Sequence, residues 1–329
     1  MISIQEYLIS KSSNAAKVIK PRTPKTIIAD DKTISKIVKE EMAKNGNDAD
    51  LNYIDTSAVT RFNLLFKGSN FKGDISEWDT SSATEMPDMF NGCSEFNCDI
   101  SSWDVSGVIN MRGMFNKCRK FNQPIGDWDV SNVTDMSLMF QECIEFNQDL
   151  RWNVSNVTNM QQMFYYCDKF NGDITGWEPV SLENAAFMFG FCYDFDQPIG
   201  DWDMPRLMSA YGMFCNCEKF DQDLSNFNTS NLVNISEMFK NCLKFTGKGL
   251  EKWDVSKACI MNAMFADCES FNCDISGWDV SNLEYANRMF IGCKSFDKSL
   301  ANWDVRSVKA YRNCFTGCKL EESKQPKFK

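Results

Sequence analysis

The sequence predicts an α/β solenoid of about ten coils of about 25 residues, and three rows of residues in one register predict it. All nine tryptophans fall into a single row, Trp78, Trp103, Trp128, Trp152, Trp177, Trp202, Trp253, Trp278 and Trp303, with Phe227 in the slot left between Trp202 and Trp253. Met-Phe pairs run in step from Met89-Phe90 to Met289-Phe290 and close with Cys314-Phe315. The third row is Cys93, Cys118, Cys143, Cys167, Cys192, Cys217, Cys242, Cys268, Cys293 and Cys318. Rows of large and small buryable side chains at one spacing are what stacked coils require, because a single short unit cannot bury its own apolar face.

Written from a tryptophan, the unit is W-D-V-S-N-V-T-x-M-x-x-M-F-x-x-C-x-x-F-N-x-D-I-x-x. After its serine, Val133, Met136, Met139-Phe140 and Cys143 recur three and four apart, which predicts a short helix from Ser131 to about Glu142, with Ser131 as N-cap and Asp135 in the first turn. The following Phe146 to Leu150 is too brief for a helix and rich in turn formers, so a short extended segment is expected there. One short helix and one short strand per coil is the leucine-rich-repeat plan. Coils would lie about 5 Å apart, placing Trp on Trp, Cys on Cys and Phe on Phe.

Four segments follow in chain order. Residues 1–31 read as a mobile N-terminal arm, with Pro21 and Pro24 among Ser and Lys. Residues 32–50 read as a capping helix, since Ile34, Ile37, Val38 and Met42 keep helical spacing until Asn45 and Gly46 end the run. The array occupies 51–320, its first copy having Ser69 in the cysteine slot, and 321–329 read as a disordered tail.

Composition narrows the function. Histidine is absent, which rules out Ser-His and Cys-His nucleophile pairs and histidine-ligated zinc. The net charge of −10 disfavours nucleic acid and anionic membranes. The acidity belongs to the array: residues 1–50 carry nine Lys+Arg against seven Asp+Glu, and the remainder 26 against 38. No apolar run is long enough to span a bilayer and no export signal is seen, so the expected location is cytoplasmic or virion-associated.

Of the fifteen cysteines, ten occupy one apolar slot, where a small hydrophobe serves packing, and reduced thiols are expected. No metal site, cofactor or catalytic residue is assigned. Two acidic rows, Asp79 to Asp304 and Asp74 to Asp274, could bind calcium in principle. Turn capping explains them better, because Asn153 and Asn228 interrupt the first row. A further row, Asn97, Asn122, Asn147, Asn171 and Asn272 with Asp196, Asp221 and Asp297, is expected to satisfy backbone groups at the bend.

The motif V-x-x-M-x-x-M-F-x-x-C-x-x-F resembles the repeat of the BspA family of leucine-rich-repeat surface proteins over about 270 of the 329 residues. Val105 to Phe121, Val130 to Phe146 and Val280 to Phe296 match it well. The resemblance implies a right-handed leucine-rich-repeat-like solenoid and a role in adhesion or protein binding at a surface. Similar repeats occur in phages and large viruses, and Ile4 to Leu8 is loosely similar to a phage head-protein targeting sequence.

The expected function is therefore a non-enzymatic scaffold for protein–protein interaction. Its variable positions between Cys and Phe mark a candidate interaction surface at Glu95, Lys120, Glu145, Tyr193, Lys219 and Lys244. Alternatives are a virion-associated structural protein carrying a targeting arm, and a carbohydrate-binding module. The partner is expected to be a protein, without a membrane span in this chain.

Overall fold

Hydrogen bonding between coils, more than any regular helix or sheet, organises the protein. The structure is a computed structural model that describes residues 23–329. The first twenty-two residues, which include the targeting-like Ile4 to Leu8, lie outside the described residues.

At the N-terminus, strand β1 (Ile27–Asp30) pairs in parallel with strand β2 (Ile54–Ala58), and helix α1 (Ile34–Asn45) lies between them in sequence. Val38 and Ile34 of α1 are buried in the apolar core, and the Tyr53 hydroxyl donates to Glu41 at 2.6 Å. β1 falls within the arm expected to be mobile, so residues 23–31 correct that reading. The Thr26 N–H donates to the Tyr53 carbonyl at 2.8 Å, and Asp31 accepts the Thr60 and Arg61 N–H groups at 2.7 and 3.0 Å.

From Arg61 onward, single parallel bridges link one residue per coil, from Arg61–Glu85 through Asn110–Asp135 and Asp135–Asn159 to Tyr285–Ala310. The chain is a repeat solenoid whose coils are built from turns. The helix expected in each coil does not form, nor is Phe146 to Leu150 a strand. Met139 donates to Met136, Gln141 to Leu138 and Cys143 to Phe140, each three residues back. The alternate N–H groups of Met136, Leu138, Phe140 and Glu142 donate instead to Asn159, Gln161, Met163 and Tyr165 of the next coil, at 2.8–3.0 Å.

An α-helix needs those same N–H groups for carbonyls four residues back. Leu138 and Glu142 also hold φ of 62° and 58°, the positive value that the third position of a type II turn demands. Successive turns place a side chain inward every third residue, so the three-and-four spacing that suggested a helix is equally the spacing of linked turns.

The C-terminal tail is likewise more ordered than its composition suggested. Residues Glu322–Lys324 form one 3-10 turn, the Leu300 N–H donates to the Lys324 carbonyl at 2.8 Å, Pro326 is buried, and Phe328 stacks on Tyr311 with centroids 4.2 Å apart. The last coil thus has an apolar cover, which the expected disordered tail would have left open.

Candidate functional site

Each coil sends one set of side chains inward and another outward, and the inward set is nearly constant. The Trp row is buried and stacks along the array, with Trp78–Trp103, Trp152–Trp177 and Trp278–Trp303 centroids 6.3–6.4 Å apart. Each indole N–H except one donates to the carbonyl of an Ile or Leu one coil back, as Trp128 does to Ile100 at 3.2 Å and Trp152 to Ile125 at 2.9 Å. The exception is Trp202, whose buried Nε1 has no partner among the described residues. Beside these rows run two phenylalanine ladders, with Phe90–Phe115 5.6 Å and Phe96–Phe121 5.9 Å apart.

The Cys row lies beside the Phe rows. Cys143 Sγ donates to the Phe115 carbonyl at 3.0 Å, and the contact repeats for Cys93, Cys118, Cys167, Cys192, Cys217, Cys242, Cys268 and Cys293. Cys318 is half-buried and its sulfur lies 3.9 Å from the Phe296 carbonyl. All fifteen cysteines are free thiols, and burial raises the titration of the row, for Cys118, Cys167 and Cys217 well above that of an exposed thiol. Off the row, burial raises Cys98 and Cys273 to about 12 and Cys215 to about 11. Thiols this hard to ionise are poor nucleophiles.

The acidic rows are occupied by local turns. Asp104, Asp129, Asp254 and Asp279 each accept the N–H of the serine two residues on, at 3.0 Å, and Asn153 and Asn228 do the same for Ser155 and Ser230. Asp203 makes no such bond because Pro205, two residues on, has no N–H to give. The asparagine row works between coils: Asn97 accepts the Asn122 N–H, Asn122 that of Asn147, and Asn147 that of Asn171, at 2.8–2.9 Å.

The outward slots differ from coil to coil. Glu95, Lys120, Lys219 and Lys244 are exposed and Glu145 and Tyr193 half-buried, all along the edge that follows the Cys row. Much of this edge is engaged with itself: Lys169 pairs with Glu145 and Lys219 with Asp194, both at 2.6 Å. Of the six residues, only Tyr193 belongs to a larger cluster.

That cluster was not anticipated from the sequence. In three consecutive coils the slots flanking Met-Phe carry aromatic rings, namely Tyr165 and Tyr166, then Phe187 and Phe191, then Tyr211, where the coil before has Ser137, Leu138, Gln141 and Glu142. Tyr166 stacks on Phe191 at 4.2 Å, Tyr165 meets Phe187 and Phe191 edge-on at 5.5 and 5.4 Å, Phe187 meets Tyr211 at 4.7 Å, and Phe191 reaches Tyr193 at 6.3 Å. Tyr166 is 36% exposed and the others are half-buried. Glycine makes the room: a Cβ on Gly212 would lie 2.3 Å from the Phe187 ring. The readable signal was aromatic residues outside the Trp and Phe register in adjoining copies.

A protein-family model described as "Mycoplasma protein of unknown function, DUF285" matches residues 33–151, 124–227 and 208–328. The chain belongs to this family. The three overlapping DUF285 matches tile the array from α1 to the tail, and the aromatic cluster lies within the second. No curated protein matches the chain. Among solved structures it is similar to a T. pallidum leucine-rich-repeat protein (16% identity, TM-score 0.32, 43% of this chain and 62% of that one). It is also similar to a leucine-rich cell surface protein from Faecalibacterium prausnitzii (13%, 0.32, 73% and 82%) and a leucine-rich-repeat protein from Eubacterium ventriosum (11%, 0.28, 80% and 81%). The solenoid architecture follows from the inter-coil bridges and hydrogen bonds of the chain itself. The chain spans less than two thirds of the T. pallidum protein. No described helix is long and apolar enough to cross a membrane.

Proposed function

We propose that this DUF285 protein is a non-enzymatic scaffold that binds another protein through its central aromatic face, Tyr165, Tyr166, Phe187, Phe191, Tyr193 and Tyr211. The observation that carries the reading is that these rings reach the surface together, half-buried or, at Tyr166, exposed, in slots that the preceding coil fills with Ser137, Leu138, Gln141 and Glu142. Grouped apolar rings at a surface cost solvation free energy unless something covers them, and Tyr-rich clusters supply the anchors of protein interfaces. The BspA-like repeat supports a role in adhesion or protein–protein contact, with the buried ladders holding the face rigid.

The test is a capture experiment from native host lysate. Wild-type protein is compared with Tyr166→Ser/Phe191→Ser and with the edge variant Lys120→Ala/Lys244→Ala, after circular dichroism shows that all three are folded. Proteins captured by wild type are expected to be lost with the first variant and retained with the second. Retention by the aromatic-face variant would overturn the assignment.

A further inference from the structure

The rim of the aromatic face has an unbalanced charge. Along the edge after the Cys row, three of the six carboxylates are answered by a lysine from the following coil, Glu145 by Lys169, Asp194 by Lys219 and Glu269 by Lys294, while Glu95, Asp168 and Glu218 are not. Asp168, Tyr193 and Glu218 occupy one slot in three successive coils, so Tyr193 stands between two carboxylates. Neither Asp168 nor Glu218 forms an ion pair among the described residues, although both border the central aromatic cluster. Burial, and then the neighbouring Asp194, raise Asp168 above the usual carboxylate range, and burial followed by Asp168 raises the Tyr193 phenol. Asp168 is a half-buried carboxylate that forms no ion pair among the described residues, although the neighbouring Lys169 favours its charge.

We propose that the central face takes a basic peptide segment, with an arginine side chain laid over Tyr166 and Tyr193 and its charge answered by Asp168 and Glu218. The inference rests on the reading of the aromatic face as the binding site and adds the class of partner. Arginine fits because its planar cation stacks on aromatic rings while its edge donates to carboxylates. The net charge of −10 attracts a basic segment from a distance and repels an acidic one.

The experiment uses the full chain and a pooled library of fluorescent random dodecapeptides. The tightest binders are remade with citrulline in place of arginine, which keeps shape and removes charge, and are titrated against wild type, Asp168→Asn, Glu218→Gln and Tyr166→Ser/Phe191→Ser. Binders rich in arginine are expected, weakened on the order of tenfold by Asp168→Asn or by citrulline, with no further loss when both changes are combined. Binders without basic residues, or citrulline forms that bind equally well, would overturn the basic-segment inference. If such binders are nevertheless lost with Tyr166→Ser/Phe191→Ser, the aromatic-face reading survives. Binding unchanged by that double substitution would sink both. Absence of any binder up to about 1 mM would overturn the basic-segment inference and leave the lysate experiment to judge the face.

Discussion

The coil from Val130 to Phe146 and the central coils from Met160 to Cys217 fill their inward slots alike and their outward slots differently. Inside, Met139, Phe140, Cys143 and Phe146 are matched by Met163, Phe164, Cys167 and Phe170. Nearer the surface, Leu138, Gln141 and Glu142 give way to the rings Tyr165, Tyr166, Phe187 and Phe191. A stacked side chain is constrained by its copies above and below, whereas an outward one answers only to solvent and to whatever binds. The same residue type therefore plays two roles: Phe140 is a rung and Phe191 part of a surface.

The sharpest way to break that contrast is to remove one ring of each kind. Phe140→Ala deletes a fully buried side chain and is expected to cost about 3–5 kcal/mol in denaturant unfolding. Phe191→Ala should cost less than about 1 kcal/mol; equal losses would mean that the aromatic cluster is core and not surface.

A second comparison uses the Trp row. Trp128→Phe loses the hydrogen bond to Ile100, while Trp202→Phe removes a buried donor that has no partner among the described residues. Both lose the same volume, so Trp202→Phe should be the milder by about 1–2 kcal/mol. Equal midpoint shifts would show that the Trp202 N–H is satisfied.

Turn capping gives a third. Asp129→Ala removes the bond to the Ser131 N–H and should cost about 1 kcal/mol, whereas Asp203→Ala, facing Pro205, should be near neutral. Hydrogen bonds from Ser106, Ser131, Ser256 and Ser281 hold Asp104, Asp129, Asp254 and Asp279 below the ordinary 3.8. Their folded pKa is lower than the unfolded one, so the stabilisation is present above pH 3.8 and is lost as pH falls through the folded values. Unfolding midpoints followed from neutral to acid pH should drop in that window, and less steeply for Asp129→Asn.

The smallest expected effect is at Leu138, a branched residue at positive φ. Leu138→Gly should gain about 0.5 kcal/mol, since relief of the left-handed backbone slightly outweighs the entropy that glycine adds to the unfolded chain. A loss would show that the Leu138 side chain packs more than its half-exposed position suggests.

Much of this was legible before any coordinates. The rows of Trp, Met-Phe and Cys gave the stacking, the interruption by Asn153 and Asn228 pointed to capping, and the spacing of Ile34, Val38 and Met42 marked α1. Of the six edge residues singled out from the sequence, Tyr193 alone joins the aromatic cluster. The helices expected within the coils were misread because a three-residue spacing belongs to linked turns as well as to helices. Local periodicity cannot tell whether the Met136 N–H will find a carbonyl four residues back or one coil ahead.

The sequence by itself determined that the chain repeats, which side chains recur, and that no histidine chemistry is possible, because composition and period are properties of the chain alone. Tertiary structure decided the backbone of each coil, the order of the last nine residues and the exposure of Tyr166 and Phe191. Those depend on hydrogen bonds and burial between residues far apart in sequence, as when the Phe140 N–H chooses the Met163 carbonyl and thereby turns a would-be helix into a rung of the solenoid.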